Sequence, residues 1–352
     1  MKTAPSRIDP VFMPRIWGSR SLAPLFPDKN DLAEPIGPEP IGEVWLTSVD
    51  CRIASGPYQG QTLGAAWREM PIGWRGSSMA NTPEFPLLVK FLFPADKLSI
   101  QVHPDSAYAY ANERAAGGRG KTEMWHVCSH EPGAQVLIGL KRNVTREQFR
   151  ASIETHRVED LFETYLAKKG DTFFIAPGTP HAIGSGMILC EVQEYSDLTY
   201  RVYDYGRTDA HGNPRELHIE KAMAVTDFDK SLRTGRVQAA PQASDNSRLL
   251  AACYFFATER QEFTARVELE SNPYRFELVI VLSGSGTIEW QDQKSLYIPG
   301  ECWFIPATLG RYALQPNSDT TVLHATVPNM ALLRTKLKDR GVPPEEIEKA
   351  LF

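Results

Sequence analysis

Proline and glycine divide this chain into short apolar runs, and that spacing limits what the chain can fold into. Its 352 residues contain 26 prolines and 25 glycines. Because both residues interrupt helices and central strands, they limit the length of any regular element. The apolar runs at 86–92, 135–139, 172–175 and 274–282 are therefore predicted to be strands of a mainly β protein.

Helices are predicted at fewer places. Thr145 and Gln148 have the spacing of a capping box, and the apolar positions that follow them predict a helical insertion at about 145–166. A short helix is predicted within 105–116. Two more are predicted within 329–351, where two consecutive prolines separate them.

A faint internal repeat predicts two related modules. Residues 169–181 align without gaps on residues 299–311, and both copies contain a glycine, an acidic residue, an aromatic residue and Phe-Ile in the same order. The first copy ends in His181 and the second in Arg311. We therefore expect two β-barrel-like modules, the second of which has lost its metal.

The boundary between the two modules is predicted in a polar stretch, residues 239–247. It separates an N-terminal domain, 1–238, from a degenerate C-terminal domain, 248–352. The first carries the helical insertion, and the second carries the terminal helices. A chain of this length has ample core for both.

Charge and composition exclude several classes of protein. The 38 basic and 43 acidic residues give a net charge of -5 and form no basic stripe of the kind that nucleic-acid binding needs. No apolar run is long enough for a transmembrane helix, and the first residues lack the apolar segment of a signal peptide. The five cysteines are scattered and are interpreted as buried thiols. We expect a cytoplasmic protein without nucleic-acid or membrane partners.

Four polar residues in three separate segments have the chemistry of a metal site. They are His103, Glu123, His181 and Gln101, with no cysteine among them. Ser99, Gln101 and His103 alternate with aliphatic residues, so a strand would direct all three to one face. Nitrogen and oxygen donors of this kind suit Zn²⁺, or less selectively another divalent first-row metal, with an open coordination position.

The motifs around these donors together resemble the type I phosphomannose isomerases. The Gly-Asp-x-aromatic-Phe-x-x-Pro-Gly-x-x-His turn that ends at His181 resembles the second motif of the cupins. The other segments that carry the resemblance are 14–18, 42–45, 85–92, 98–105, 120–125 and 196–205. The resemblance implies two cupin-type β-barrel (jelly-roll) modules with a few short helices. It also implies a zinc-dependent enzyme that interconverts mannose 6-phosphate and fructose 6-phosphate.

The resemblance also implies the ligands of the metal. One Zn²⁺ per chain would be held by His103, Glu123 and His181, with Gln101 as a fourth ligand in some members. Zinc does not change its oxidation state, which suits a reaction without net electron transfer.

Five further residues match the substrate pocket of that family. Arg201 matches the family's active-site arginine, and Lys121 and Glu191 match residues placed in the same pocket. Ser99 and Arg207 match positions associated with the substrate phosphate. Moving a proton between C1 and C2 through a cis-enediol needs a base that returns the proton, and Glu191 is the preferred candidate. Lys121 could protonate a substrate oxygen, and the permanently charged Arg201 could stabilise the enediolate.

Two other classes of function stay open at this point. A metal-dependent cupin with other chemistry is one, such as an iron or manganese oxygenase, an epimerase or an enzyme for another sugar phosphate. A non-catalytic sugar-binding cupin is the other, because fold alone does not determine function. The intact donor set and the accompanying cations favour an isomerase with a sugar phosphate as substrate, and we expect a monomer.

Overall fold

The predicted short strands are present in the computed structural model, which describes residues 2–27, 40–208, 212–241 and 247–352. They form four sheets. In chain order the strands are β1 (Ser6–Ile8), β2 (Val11–Ser19), β3 (Ile41–Trp45), β4 (Leu87–Leu92), β5 (Ile100–Val102), β6 (Glu123–His130), β7 (Gln135–Leu140), β8 (Phe162–Leu166), β9 (Thr172–Ile175), β10 (His181–Ile183), β11 (Met187–Glu194), β12 (Tyr200–Tyr203), β13 (Gly235–Arg236), β14 (Ala240–Pro241), β15 (Ser247–Ala252), β16 (Ala257–Phe263), β17 (Val267–Glu270), β18 (Glu277–Ser283), β19 (Gly286–Trp290), β20 (Gln293–Tyr297), β21 (Cys302–Ile305), β22 (Arg311–Pro316) and β23 (Thr320–Thr326).

The helices are short and lie between or after the strands. They are α1 (Leu63–Glu69), α2 (Ile72–Arg75), α3 (Ser106–Asn112), α4 (Arg146–Glu154), α5 (Ile219–Val225), α6 (Met330–Asp339) and α7 (Pro344–Ala350). The capping box predicted for α4 is confirmed, because the side chains of Thr145 and Gln148 each accept a hydrogen bond from the other residue's backbone N–H. In the described parts of the chain, no helix is both long and apolar enough to cross a membrane.

Two pairs of sheets repeat one topology, as the internal repeat predicted. In the first module the large sheet contains the order β9-β6-β11-β4-β3, and the small sheet contains β5-β10-β7-β8. In the second module the corresponding orders are β21-β18-β23-β16-β15 and β17-β22-β19-β20. The same connections therefore occur twice, in a mainly β fold of two cupin-like modules.

The edges of the two large sheets show how the chain joins its modules. β13 pairs with β9 in the first module, and β1 pairs with β21 in the second. The N-terminal strand thus contributes to the second module's sheet. Of the predicted boundary 239–247, residues 242–246 lie outside the described residues, and the strands on either side of them, β14 and β15, pair with each other. The division at 238 and 248 stays a prediction.

The large sheet of the first module is buried on both faces. One face, with Phe91 and Val192, packs in a common apolar core with Ile280 and Leu323 of the second module. The other face turns Trp125 into the interior of its own module, where the small sheet covers it. Burial on both faces explains why all six residues of β4 are buried. It also means that a charged side chain on these strands requires a partner.

Candidate metal centre and pocket

Strands of the first module bring the predicted metal donors together. Glu123 is the first residue of β6, and His103 directly follows β5. Gln101 in β5 lies opposite His181 in β10, so both side chains project from the same face of the small sheet. The donor atoms of His103, Glu123 and His181 lie within 4.8 Å of one another, and all three side chains are buried.

Both histidines present an unprotonated nitrogen to the same carboxylate oxygen. The Nδ1 atom of His103 lies 2.9 Å from the carbonyl oxygen of Leu198, and Nδ1 of His181 lies 2.9 Å from the carbonyl oxygen of Thr179. A carbonyl only accepts hydrogen bonds, so each Nδ1 carries the proton and each Nε2 keeps its lone pair. These Nε2 atoms lie 3.6 and 3.4 Å from Oε1 of Glu123.

Three acceptors that face one another suit a divalent cation. Among the described residues, neither Nε2 of His103 nor Oε1 of Glu123 has a hydrogen-bond partner. Burial lowers the pKa of both histidines, that of His181 to about 3, so both rings are neutral near pH 7. Two neutral imidazoles and a carboxylate form a donor set that zinc uses with an open fourth position. The residues therefore fit the predicted metal.

Gln101 lies within reach of the same point. Its Nε2 atom is 3.2 Å from Nε2 of His181. The two ends of a glutamine amide are assigned from the hydrogen-bond network, and the opposite orientation of this amide would present its carbonyl oxygen. Gln101 can thus serve as an oxygen donor from the position where it now donates to His181.

Lys121 links the metal donors to a second carboxylate. Its Nζ atom lies 2.7 Å from Oε2 of Glu123 and 3.4 Å from Oε1 of Glu191. Burial would raise the pKa of Glu123, but the opposing effects, of which the charge of Lys121 is the largest, together hold that pKa well below its ordinary value. Glu123 is therefore ionised, as a metal ligand must be.

Glu191 is a buried carboxyl group whose pKa is close to neutral. It lies in β11 opposite Trp125 of β6 and Lys90 of β4, and its side chain is 4% exposed. Burial, and after it the charge of Glu123, raises the pKa of Glu191 to about 7, against the opposing effects of Lys121 and Lys90. A carboxyl group with such a pKa can both accept and return a proton near pH 7.

A cavity of about 320 Å³ opens beside these groups, and this volume lies within the range of small-ligand sites. The predicted site residues that line it are Ser99, Gln101, Lys121, Glu191 and Arg201. Its apolar walls are Trp17, Leu92, Leu98, Trp125 and Ile183. Gln101 and Lys121, which contact His181 and Glu123, are thus part of the wall of a polar, charged pocket.

The two predicted arginines are placed differently. Arg201 lies in β12 opposite Gln101 and lines the cavity, and its Nη1 atom donates to the carbonyl oxygen of Glu216 at 2.8 Å. Arg207 is outside the cavity lining, and its guanidinium donates to carboxylate oxygens of Asp96 and Asp204. The structure thus brings Arg201, but not Arg207, to the pocket wall.

Lys90 is a charged pocket residue that the sequence analysis missed. Its side chain is 3% exposed, and Nζ lies 3.1 Å from Asp197, 3.6 Å from Glu191 and 3.7 Å from Glu43. The available signal was a single lysine inside the apolar run 86–92. A lone charge in a strand that is buried on both faces must have a partner, and this criterion would have selected Lys90.

Comparison with known proteins gives a consistent match. Residues 6–132 match the family model described as phosphomannose isomerase type I, catalytic domain. The chain is 30% identical over 328 residues to mannose-6-phosphate isomerase ManA of Bacillus subtilis, with 92% of this chain and 100% of the relative covered. It is 31% identical over 316 residues to mannose-6-phosphate isomerase of Streptococcus mutans, with 88% of this chain and 95% of the relative covered.

Solved structures of mannose 6-phosphate isomerases have the same fold as this chain. The crystal structure of the mannose 6-phosphate isomerase from Bacillus subtilis superposes with a TM-score of 0.81 at 28% identity, covering 92% of this chain and 99% of that one. A mannose 6-phosphate isomerase bound with zinc and yttrium superposes with a TM-score of 0.70, covering 92% of this chain and 99% of that one. Its identity is 16%, so this second match shows the shared fold alone.

Proposed function

Because this chain belongs to the type I phosphomannose isomerases, we propose that its pocket interconverts mannose 6-phosphate and fructose 6-phosphate in a zinc-dependent reaction. The observation that carries the proposal is the convergence of two neutral imidazole nitrogens and one carboxylate oxygen beside Glu191. Zinc bound by His103, Glu123 and His181, with Gln101 as a fourth ligand, would supply a Lewis acid for the substrate oxygens. A mannose 6-phosphate isomerase of the same fold that was solved with bound zinc supports the choice of metal.

Glu191 is proposed to carry the proton between the two carbons. As the carboxylate it takes the proton from C2 of the open-chain aldose. The electrons of that C–H bond form the C1–C2 double bond of a cis-enediol, and the C1=O1 π electrons move to O1, which takes a proton from Lys121. As the acid Glu191 returns its proton to C1, while O2 gives its proton to Lys121 and becomes the ketone oxygen. A pKa near 7 serves both steps.

Lys121 and Arg201 are proposed to stabilise the charge that develops on the substrate oxygens. Lys121 lies between Glu123 and Glu191 and is held protonated, because those two carboxylates raise its pKa against the effect of burial. It can therefore donate a proton or a hydrogen bond to O1 or O2. Arg201 remains cationic and stabilises an oxyanion without exchanging a proton. Ser99 lines the same cavity and is proposed to contact the phosphate.

The first test measures metal and activity together. Purified protein should contain about one zinc per chain by mass spectrometry and should convert mannose 6-phosphate to fructose 6-phosphate. Chelation should abolish turnover, and added zinc should restore it. Activity that survives complete chelation would overturn the zinc dependence, and absence of turnover in the zinc-loaded protein would overturn the proposed reaction. The same sample tests the expected monomer by light scattering.

The role of Glu191 has a matched control in the same strand. Glu191→Gln should lower kcat by about 10²- to 10⁴-fold while zinc stays bound, because a positioned base contributes about that much. Glu194→Gln is the control, since Glu194 is also largely buried with a pKa of about 7 but accepts from the backbone N–H of Thr122. Glutamine can accept the same hydrogen bond. Equal losses in both variants would contradict the role given to Glu191.

A further inference from the structure

Two guanidinium groups pair with the carboxylate of Asp204, and a third, that of Arg201, lies near them in the cavity wall. Asp204, whose side chain is 6% exposed, pairs with Arg207 and with Arg215. Arg201 lies close enough that the charges of Arg215, Asp204 and Arg207 all affect it. Arg201 and Arg215 line the cavity and Asp204 does not, so this part of the wall presents positive charge, which suits an anionic group of a ligand.

Arg207 is largely engaged by the protein itself. It donates to Oδ2 of Asp96 at 3.2 Å and to Oδ1 of Asp204 at 2.7 Å, and it also donates to the carbonyl oxygens of Asp204 and Lys97. Its guanidinium lies over the ring of Tyr205, 5.2 Å from the ring centroid. These contacts leave it outside the cavity lining, as a support for Asp204.

Arg215 and Arg201 face the cavity instead. Both line it, and the Nε and Nη2 groups of Arg215 donate to the carboxylate of Asp204. Its Nη1 group is thus not used in that pair. Nε of Arg201 is buried without a hydrogen-bond partner among the described residues. Burial, and after it the charge of Arg215, lowers the pKa of Arg201, so an anion between the two groups would relieve their repulsion.

The order of these groups fits an extended sugar phosphate. Gln101 lies beside His181 on one side and beside Arg201 on the other, in three adjacent strands. Arg201 is in the edge strand β12, two strands away from His181, and Arg215 pairs with Asp204, which directly follows β12. A substrate whose C1 and C2 lie at the metal donors would therefore direct its other end toward Arg215.

We propose that Arg215 binds the 6-phosphate of the substrate and is the residue that favours phosphorylated over unphosphorylated sugars, while Arg207 positions Asp204. The inference rests on the proposed function, since that function provides the phosphate at this end of the cavity. The Nε and Nη2 groups of Arg215 stay hydrogen-bonded to Asp204, and its Nη1 group donates to the phosphate oxygens. Asp204 fixes the orientation of both Arg207 and Arg215.

The test uses the zinc-loaded enzyme and a ligand that cannot react. Mannitol 6-phosphate has no carbonyl group, so its affinity can be measured by calorimetry apart from turnover, and mannitol is its unphosphorylated counterpart. Arg215→Met should weaken mannitol 6-phosphate binding and raise KM for mannose 6-phosphate by about 30- to 100-fold, as loss of a charge-assisted contact does. Mannitol binding should change less than twofold, and kcat less than tenfold.

Two further arginine variants serve as comparisons. Arg150→Met removes another two-pronged arginine–carboxylate pair, with Glu220, on the outside of the protein, and should leave both affinities unchanged. Arg207→Met should raise KM less than Arg215→Met does and should also lower the thermal midpoint. Arg215→Lys keeps a cation beside Asp204 but loses the fork, so it should bind mannitol 6-phosphate with intermediate affinity. It also tests the proposal if Arg215→Met does not fold.

The outcomes separate this inference from the proposed function. Wild-type protein that binds mannitol 6-phosphate without isomerising mannose 6-phosphate would refute the reaction and still allow the Arg215 comparison. Wild-type turnover with unchanged KM in the Arg215 variants would refute the role of Arg215 alone. A larger effect from Arg207→Met than from Arg215→Met would also overturn the proposal, as would equal losses for mannitol and mannitol 6-phosphate.

Discussion

The two modules share one topology but balance an equivalent buried carboxylate in different ways. Glu123 begins β6 and pairs with Ile175 of β9, and Glu277 begins β18 and pairs with Ile305 of β21. In the sequence repeat, Ile175 aligns on Ile305. The two glutamates therefore occupy equivalent positions.

Around Glu277 the second module supplies its own counter-charge. Oε1 of Glu277 lies 2.7 Å from Nδ1 of His324, and Oε2 accepts a hydrogen bond from the hydroxyl group of Tyr312 at 3.0 Å. Burial would lower the pKa of His324, but Glu277 outweighs burial and raises it. The imidazolium of His324 thus neutralises Glu277 inside the protein.

The other metal donors have also changed in the second module. Gln101 lies opposite His181 in the first module, and the corresponding pair in the second is Glu270 opposite Arg311. Arg311 is exposed, and an arginine is not a metal ligand. Each module therefore balances a largely buried carboxylate at this position. In the first module Lys121 balances it and leaves two neutral imidazoles facing it for the proposed metal, whereas in the second a histidine itself balances it.

The largest expected effect comes from removing the carboxylate in each module. Glu123→Gln should lose bound zinc and reduce isomerase activity by at least about 10³-fold, since a Lewis-acid metal contributes several kcal/mol. Glu277→Gln should keep about one zinc per chain and activity within about threefold of wild type. Metal content and kcat/KM of both variants measure the contrast. Zinc loss from Glu277→Gln would show that the second module does bind metal.

The sequence predicted the metal donors because they stand in motifs that are local in the chain. His103, Glu123 and His181 each lie within a contiguous motif that is recognisable in the sequence. The alternation of polar and aliphatic residues predicted that Gln101 and His103 share one face of a strand. Lys90 was missed because its partners Asp197, Glu191 and Glu43 come from distant segments that only the fold brings together, although a lone lysine in an apolar run was a local signal. The role of Arg207 was inferred from motif position, which cannot show that Asp96 and Asp204 engage its guanidinium.

Helix α1 was not predicted from the sequence, and the reason is again physical. In α1 four of seven residues are buried, and Trp67 contacts Phe85 and Phe276, the latter in the second module. A helix of seven residues makes about two turns, so its apolar period is too short to stand out in the sequence. The helix predicted from residue 145, in contrast, is present as α4 with a capping box and an exposed face, although the prediction extended to 166 and residues 162–166 form strand β8.

Breaking the ion pair of the second module should cost stability without loss of metal. His324→Gln should destabilise the protein by about 2 kcal/mol, because it leaves Glu277 largely buried without its counter-charge. This figure is below that of a fully buried pair, since the Glu277 side chain is 28% exposed. The double variant with Glu277→Gln should recover most of the loss in denaturant unfolding at pH 7. A double variant as unstable as the single one would contradict this account of the pair.

The smallest expected effect concerns a buried histidine whose pKa shifts in the opposite direction from that of His324. His126, on β6 in the first module, is 2% exposed, and burial, followed by the charge of Arg260, lowers its pKa to about 3. The unfolded chain binds this proton below pH 6.5 while the folded protein does not, so stability falls as pH decreases from 6.5 toward 3. At pH 5.5 the unfolding free energy lost through His126 is about 1.4 kcal/mol.

We therefore expect the loss of unfolding free energy between pH 7.5 and 5.5 to be about that much smaller in His126→Asn than in wild type. The exposed His130→Asn control should lose as much as wild type, and equal losses in all three proteins would show that His126 is protonated in the folded state.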